Sequence, residues 1–313
     1  MRVVVTGGAG YVGYSLVREL LRPGHPASEI VVYDNLSRGN YALFTTAPLT
    51  GKPLAFVQGD LLDGRRLARC LDGADVVYHL AARVTMPYAD HDTHAFEQVN
   101  HWGTAGVATA AEEARVGHVV YLSSAAVYGA PEVAADESTP PAANSFYGTS
   151  KARGEEHVRR LDDRARVHII RSGNVYGHNP TFRIDAVINR FLFEANYGGR
   201  ITIHGTGDQA RSFIHVEKLA ALLAGLHDPA VPAGIWNAVE HVLSVSEIVE
   251  AILELFPDLE TIFISQHVPM RTARVKTPCR ITEWLPMAPR SLGEELRDFR
   301  DRLSFSCSRP ARA

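Results

Sequence analysis

A chain of 313 residues with 32 basic and 35 acidic side chains carries a formal charge of only −3, and 46% of its residues are hydrophobic. That balance supports a sizeable core and excludes a polybasic surface for nucleic acid or membrane lipid, leaving a small molecule as the expected partner. No apolar run reaches the roughly 18–20 residues that span a bilayer, the N-terminus enters a strand directly, and Cys70, Cys279 and Cys307 lack metal or redox spacing, so free thiols in the cytoplasm are expected.

Continuous Val/Ile/Leu-rich runs predict strands at 2–6, 30–34, 54–58, 76–80, 119–123 and 167–171, with helical stretches between most of them. Unbroken apolar strands alternating with helices belong to a parallel sheet covered on both faces, with right-handed crossovers. After residue 175 the alternation weakens at Pro180, Gly198-Gly199, Gly205-Thr206-Gly207 and the stretch 229–234. The expected organisation is a cofactor-binding domain with the catalytic residues over 1–175, to which segments at about 205–240 can return, and a mainly substrate-binding region over 176–303. A fraying tail follows over 304–313. Late helices are expected at 216–226 and 245–255, the second capped by Ser244 or Ser246. His91 and His94 lie in a polar stretch without a third ligand at metal spacing, so no metal is expected.

Thr6-Gly7-Gly8-Ala9-Gly10-Tyr11-Val12-Gly13 joins the first strand to a helix. Gly7 permits the tight turn, Gly10 lets backbone N–H groups approach a pyrophosphate at the positive helix end, and Gly13 allows helix and strand to pack closely. Between a strand and a helix this spacing signals a dinucleotide site in a doubly wound α/β Rossmann sheet. Asp34 ends the second strand, where a carboxylate accepts from an adenosine ribose diol and repels a 2′-phosphate, favouring NAD over NADP. Arg38 is the one nearby residue that could approach such a phosphate. Asp60 is placed to accept from the adenine amino group, and Leu80, Ala81 and Ala82 supply a close backbone wall.

Tyr147 and Lys151 stand at i and i+4, hence on one helix face. A neighbouring ammonium and a positive nicotinamide ring favour the phenolate of a tyrosine whose ordinary pKa is about 10, making it a general base. Ser123 and Ser124 end the fifth strand at the carboxyl edge of the sheet. There the Ser124 hydroxyl can bridge Tyr147 and a substrate hydroxyl.

In this order the motifs resemble the extended short-chain dehydrogenase/reductase family, in particular its NAD-dependent nucleotide-sugar epimerases and dehydratases such as the UDP-galactose (UDP-glucose) 4-epimerase type. The likeness covers about residues 1–255. It rests on residues 6–13, Asp34-Asn35-Leu36-Ser37, Gly59-Asp60, His79-Leu80-Ala81-Ala82, Asn100 with Gly103-Thr104, 123–129, 147–151, 171–177 and 205–216. It implies an α/β fold with a smaller α/β C-terminal region, and catalysis by Ser124, Tyr147 and Lys151. NAD contacts are implied at Gly7, Gly10, Tyr11, Val12, Gly13, Asp34, Asn35, Ser37, Asp60, Leu61, Leu80, Ala81, Ala82, Asn100, Ser123, Tyr147, Lys151 and Val175. Substrate contacts are implied at Thr85, Ser124, Tyr147, Asn174, Val187, Ile203, Arg211 and Arg271. In this comparison Asn174 meets the diphosphate region and Arg211 pairs with a phosphate. The usual Arg-x-Gly-Asp-like clamp is replaced by Met270-Arg271-Thr272-Ala273-Arg274 and a shortened run to Trp284, so Arg271 or Arg274 stands in for it.

Relatives that eliminate water carry an Asp-Glu pair where this chain has Ala125-Ala126, and decarboxylating or 3,5-epimerising ones carry glutamate or cysteine at the second position. Alanine does none of this chemistry. The resemblance therefore implies 4-epimerisation of a nucleotide-diphosphate sugar, UDP-linked for preference, through a transient 4-keto sugar. The alternatives are a dehydrogenase or ketoreductase with net NAD turnover and a non-catalytic NAD-binding scaffold. A homodimer through a four-helix bundle is implied by the helices expected at about 100–116 and 146–161.

Overall fold

The computed structural model describes residues 1–46, 51–84, 93–264 and 272–303. Its central layer is a seven-stranded sheet ordered β3-β2-β1-β4-β5-β6-β10. The strands are β1 (Arg2–Thr6), β2 (Glu29–Asp34), β3 (Leu54–Gln58), β4 (Val76–His79), β5 (His118–Ser124), β6 (Arg166–Ser172) and β10 (Gly234–Ala238). All neighbours are parallel. The six strands expected from sequence appear with each end within one residue, and β10 returns from the C-terminal part to close the edge beside β6.

Burial on both faces explains the unbroken apolar runs. Val3, Val5, Val32, Tyr78 and Val120 face one side, against Leu16 and Leu20 of α1 (Tyr11–Leu21) and Leu219 and Leu223 of α8 (Val216–Gly225). Val4, Val31, Val77 and Val119 face the other, against Leu67 and Leu71 of α3 (Gly64–Leu71) and Val107 and Ala111 of α5 (Gly103–Glu113). Each fully buried side chain of this size contributes about 1.5–3 kcal/mol. α2 (Ala42–Thr46) and α4 (Thr93–Phe96) are short, and α6 (Phe146–Arg159) packs beside α5. The expected helix at 100–116 begins instead as a π-helical turn over Glu97–Trp102, where the Thr104 hydroxyl donates to the Asn100 carbonyl at 2.6 Å. An extra residue per turn of this kind re-aims the side chains around it.

The smaller region holds β7 (Asn174–Tyr176), β8 (Arg200–His204), β9 (Ala210–His215), β11 (His241–Ser244) and β12 (Glu260–Ile264), with α7 (Val187–Gly198), α9 (Val245–Leu253) and α10 (Leu292–Arg302). Strands β11, β9 and β7 form one sheet, and β12 and β8 another. Ser244, not Ser246, caps α9, in a reciprocal capping box with Glu247, and Ser291 with Glu294 does the same for α10. A separate core gathers Phe191, Leu192, Ile201, Ile203, Ile248, Leu296 and Phe299. Among the described residues no helix is long and apolar enough to cross a membrane.

Three histidines are packed into the main sheet as neutral groups. His118 Nε2 and His168 Nδ1 share a hydrogen bond of 2.9 Å across β5 and β6. His79 is held by Thr6 at 2.7 Å and Thr104 at 2.9 Å. Burial pushes the imidazoles of His118 and His79 down to about 3 and that of His168 to about 4. In the unfolded chain each takes up a proton below about 6.5, so the unfolded state binds more protons and stability falls as pH drops from about 6.5 towards 4. Urea unfolding at pH 7.5, 6.0 and 5.0 is expected to show a steadily falling midpoint, with a shallower fall in His168→Gln. A midpoint that does not move over this range contradicts the assignment.

Candidate active site

Strand order reverses between β1 and β4, and a crevice opens at their carboxyl ends. It continues into a cleft of about 900 Å³ between the main sheet and the smaller region. At one end the Gly7–Gly13 turn is fitted without spare room. A Cβ on Gly13 would stand 2.2 Å from the Gly7 carbonyl oxygen, and one on Gly7, where φ is +74°, would stand 2.6 Å from Ala81 Cα. The turn delivers α1 with Gly10 at its N-cap, no capping side chain and no acidic residue in its first turn. The positive helix end is thus left to an anion.

Asp34 ties this turn to the loop after β2. Its Oδ2 accepts from Ala9 N at 3.1 Å and its Oδ1 from Leu36 N at 2.8 Å. Burial raises its pKa, and these two backbone bonds oppose the rise. Asp60 accepts from Asn35 Nδ2 at 2.9 Å and from Leu62 N at 3.0 Å. The two carboxylates therefore shape this end of the crevice while each keeps lone pairs for further donors.

Tyr147 and Lys151 project from the start of α6, which Ser145 caps by accepting from Gly148 N. Ser124, at the end of β5, lies beside the Tyr147 phenol, close enough to lower its pKa. The Ser124 oxygen accepts from Ala126 N at 3.2 Å, fixing its position. Burial raises the phenol's pKa, opposed first by the Ser124 hydroxyl and then by the Arg183 charge. Lys151 is 2% exposed, with its ammonium 4.3 Å from the centre of the Tyr121 ring. Burial pushes it down to about 7, against the pull of Glu155. Ser123, unlike Ser124, turns its hydroxyl away, donating to Glu155 Oε1 at 2.6 Å. Glu155 is in turn paired with buried Arg171 at 2.6 Å.

Of the residues expected at the site, the cleft is lined by Gly7, Gly10, Tyr11, Val12, Gly13, Asp34, Asn35, Ser37, Asp60, Leu61, Leu80, Ala81, Ala82, Ser123, Ser124, Tyr147, Lys151, Asn174, Val175, Val187 and Arg211. Two expectations need correction. Asn100 is fully buried behind the wall, with its amide bonded to the backbone of Arg83 and to Ser150 Oγ, so it supports the cofactor wall instead of facing the cleft. Ile203 is 1% exposed in the core of the smaller region, and it is His204, the next residue on β8, that reaches the cleft. Thr85 and Arg271 lie outside the described residues, as do His91 and the tail at 304–313. Residues not anticipated at the site include Arg83, Arg183, Asp185, Arg190 and Gln209, which also line it, as does Arg38. The signal for two of them was an Arg-x-Asp spacing soon after Gly177. Arg183 and Asp185 are joined at 2.5 Å.

Arg211 sits on β9, and among the described residues no side chain pairs with its guanidinium, whose pKa burial lowers. A half-buried guanidinium with no side-chain partner among the described residues, lining a cleft, suits a phosphate. Elsewhere, Glu240, His241 and Glu295 bring ligand-type atoms within 4.8 Å of one another. Lys218 already occupies that cluster as an ion-pair partner of both carboxylates.

The chain matches the NAD dependent epimerase/dehydratase family over residues 3–238. It is 32% identical to the dTDP-glucose 4,6-dehydratase of Streptomyces niveus over 69% of its own length and 66% of that protein's. It is also 32% identical to the UDP-glucose 4-epimerase of Mycolicibacterium smegmatis over 74% of each chain. Among solved structures it resembles the dTDP-glucose 4,6-dehydratase DesIV of Streptomyces venezuelae, which holds NAD. The TM-score is 0.83 and the identity 28%, over 96% of this chain and 98% of that one.

Lys151 is a group whose pKa folding depresses, so its ammonium opposes folding below about 10.5 and most fully below about 7. In cofactor-free protein, Lys151→Met is therefore expected to raise the melting temperature at pH 7 while abolishing activity, with the gain shrinking towards pH 10. Differential scanning calorimetry across that range checks it, and a lower melting temperature at pH 7 refutes the buried-charge account.

Proposed function

The chain belongs to the NAD dependent epimerase/dehydratase family, and on that premise we propose that it is a 4-epimerase of a nucleotide-diphosphate sugar, UDP-linked for preference. The observation that carries this reading is the wall beside Ser124. Ala125 and Ala126 line the cleft there, and neither offers an acid or a base for eliminating water. Asp185 also lines the cleft, and although burial raises its pKa, its bond to Arg183 holds it below the ordinary range. A carboxylate kept ionised in this way is no proton donor at neutral pH.

The residues present fit a dinucleotide: the glycine cradle that any Cβ would fill, the uncapped N-terminus of α1 and the carboxylate of Asp34. Bound there, NAD supplies a hydride acceptor that returns the hydride, and a positive ring that favours the Tyr147 phenolate. Tyr147 removes the proton from the sugar hydroxyl and later gives it back. Ser124, beside the phenol, orients that proton. Lys151, in its protonated form, places a positive charge on the same helix face, and Arg211 and Asn174 hold the diphosphate end. With Ala125 and Ala126 supplying neither acid nor base beside Ser124, the 4-keto sugar's productive exit on this reading is reduction from its other face.

The same reading places the enzyme in the cytoplasm, consistent with the buried free thiols of Cys70 and Cys279. It also pairs two chains through α5 and α6. Trp102 at 60% and Phe146 at 54% exposure lie on or next to those helices, the kind of apolar surface that a second copy covers.

The test is incubation with UDP-, GDP- and dTDP-hexoses without added NAD, followed by NMR of the products. Inversion at C4 with no net NADH is expected. Formation of a 4-keto-6-deoxy sugar, or stoichiometric NADH, refutes epimerisation. Tyr147→Phe is expected to lower kcat by about 10²–10⁴ without altering NAD content or the circular dichroism spectrum.

A further inference from the structure

The segment from Gly177 to Asn189 is bound to the first turn of α1 by a closed set of buried hydrogen bonds. Tyr11 donates its phenol to the Gly177 carbonyl at 2.6 Å. Asn179 Nδ2 donates to the Tyr11 carbonyl and to Ser15 Oγ, both at 2.9 Å. The Thr181 hydroxyl donates its one proton to Asn179 Oδ1 at 3.0 Å, with the Gly10 carbonyl as its alternative acceptor at 3.4 Å. Asn189 joins the two ends, accepting from Gly177 N at 3.0 Å and donating to the Arg183 carbonyl at 2.9 Å and the Tyr11 oxygen at 3.3 Å.

Asn179, Thr181 and Asn189 are 5%, 3% and 0% exposed, and none of the three lines the cleft. Their side chains act wholly through other residues. Those residues are the ones that bear the anion-binding turn: Gly10 is the N-cap of α1 and Tyr11 its first residue, and both line the cleft. The same segment carries Arg183 and Asp185 into the lining of the cleft. More than 160 residues of sequence separate the two partners of each bond across this joint.

We propose that residues 177–189 are a retaining strap for the dinucleotide, with Asn179, Thr181 and Asn189 as its positioning residues. The strap holds the Gly10–Tyr11 peptide in its phosphate-binding attitude and closes the crevice over the pyrophosphate position, so that release of the cofactor requires the joint to open. A buried polar network satisfied at every member is rigid, and loss of one member weakens the rest. The cost of organising the turn is then met during folding and not at binding, which shows as a slow off-rate. The proposal rests on NAD binding at the glycine turn and not on which sugar is epimerised.

Purified protein is loaded with NAD, and its release into an excess of an NAD-scavenging dehydrogenase is followed with time. Thr181→Val keeps the shape and removes the hydroxyl's bond to Asn179 and its alternative to Gly10, and Asn189→Ala removes the hub. Both are expected to release NAD at least tenfold faster than wild type, with a matching rise in NAD Kd. The kcat at saturating NAD is expected to stay within twofold, and the melting temperature of cofactor-free Thr181→Val within a few degrees. Wild-type release rates in folded Thr181→Val overturn the proposal, whether or not Asn189→Ala folds. So does a fall in kcat that saturating NAD does not restore. Because the readout is release of the cofactor, it stands even if the sugar panel shows a reaction other than epimerisation.

Discussion

Two backbones meet at the start of this molecule with almost no space between them: the chain leaving β1 and the first turn of α1, with the end of β4 pressed against both. Side chains at Gly7 or Gly13 would hold them apart by several tenths of an ångström or more. Most of the functional architecture depends on that contact. It sets the direction of α1, which points its unpaired N–H groups into the crevice, and the distance across which Asp34 reaches Ala9. It also fixes the surface on which the chain lays its later residues, from Gly177 to Asn189. A parallel sheet supplies the crevice, but only glycine lets a phosphate-sized ligand approach its floor.

The charges along the cleft are arranged at some expense to the fold. Lys151 is enclosed without a direct carboxylate partner among the described residues, and Arg211 is half-buried without any. By contrast Arg171 and Glu155, just behind the catalytic helix, neutralise each other completely. On the proposed reading, pairs such as Arg171–Glu155 hold the frame, and the unpaired charges of Lys151 and Arg211 are kept for the substrate and the reacting groups. Fixed, desolvated charge of this kind stabilises a developing charge without reorganising at the moment of reaction.

The frame was legible because its signals are local. A strand buried on both faces is written as an uninterrupted apolar run, as in Val3-Val4-Val5 and Val119-Val120, and a glycine turn can be read only one way between such a run and a helix. Tyr147, Lys151 and Ser124 were recoverable for the same reason, from spacing on one helix and position at one strand end. What escaped depended on orientation. On β8 the side chains alternate, so Ile201 and Ile203 enter the core while His204 turns to the cleft, and a one-residue misassignment reverses the inference. The π-helical turn at Glu97–Trp102 rotated Asn100 behind the wall, and no periodicity announces such a turn. Arg183 and Asp185 belong to an irregular segment whose place is decided by tertiary bonds, to which sequence patterning is blind.

The last strand of the main sheet, β10, is contributed by Gly234–Ala238, after the chain has left for the smaller region and come back. During synthesis the glycine turn therefore emerges first but stays incomplete until roughly three quarters of the polypeptide has followed. Only then can β6 gain its outer neighbour and α8 cover α1. Until that point the nascent protein exposes the edge of β6 and the apolar back of α1, surfaces a chaperone would shield. Completion of the sheet is thus a late event, as is completion of the cleft, whose lining extends to Ala273, and free cofactor in the cell favours the finished molecule by mass action.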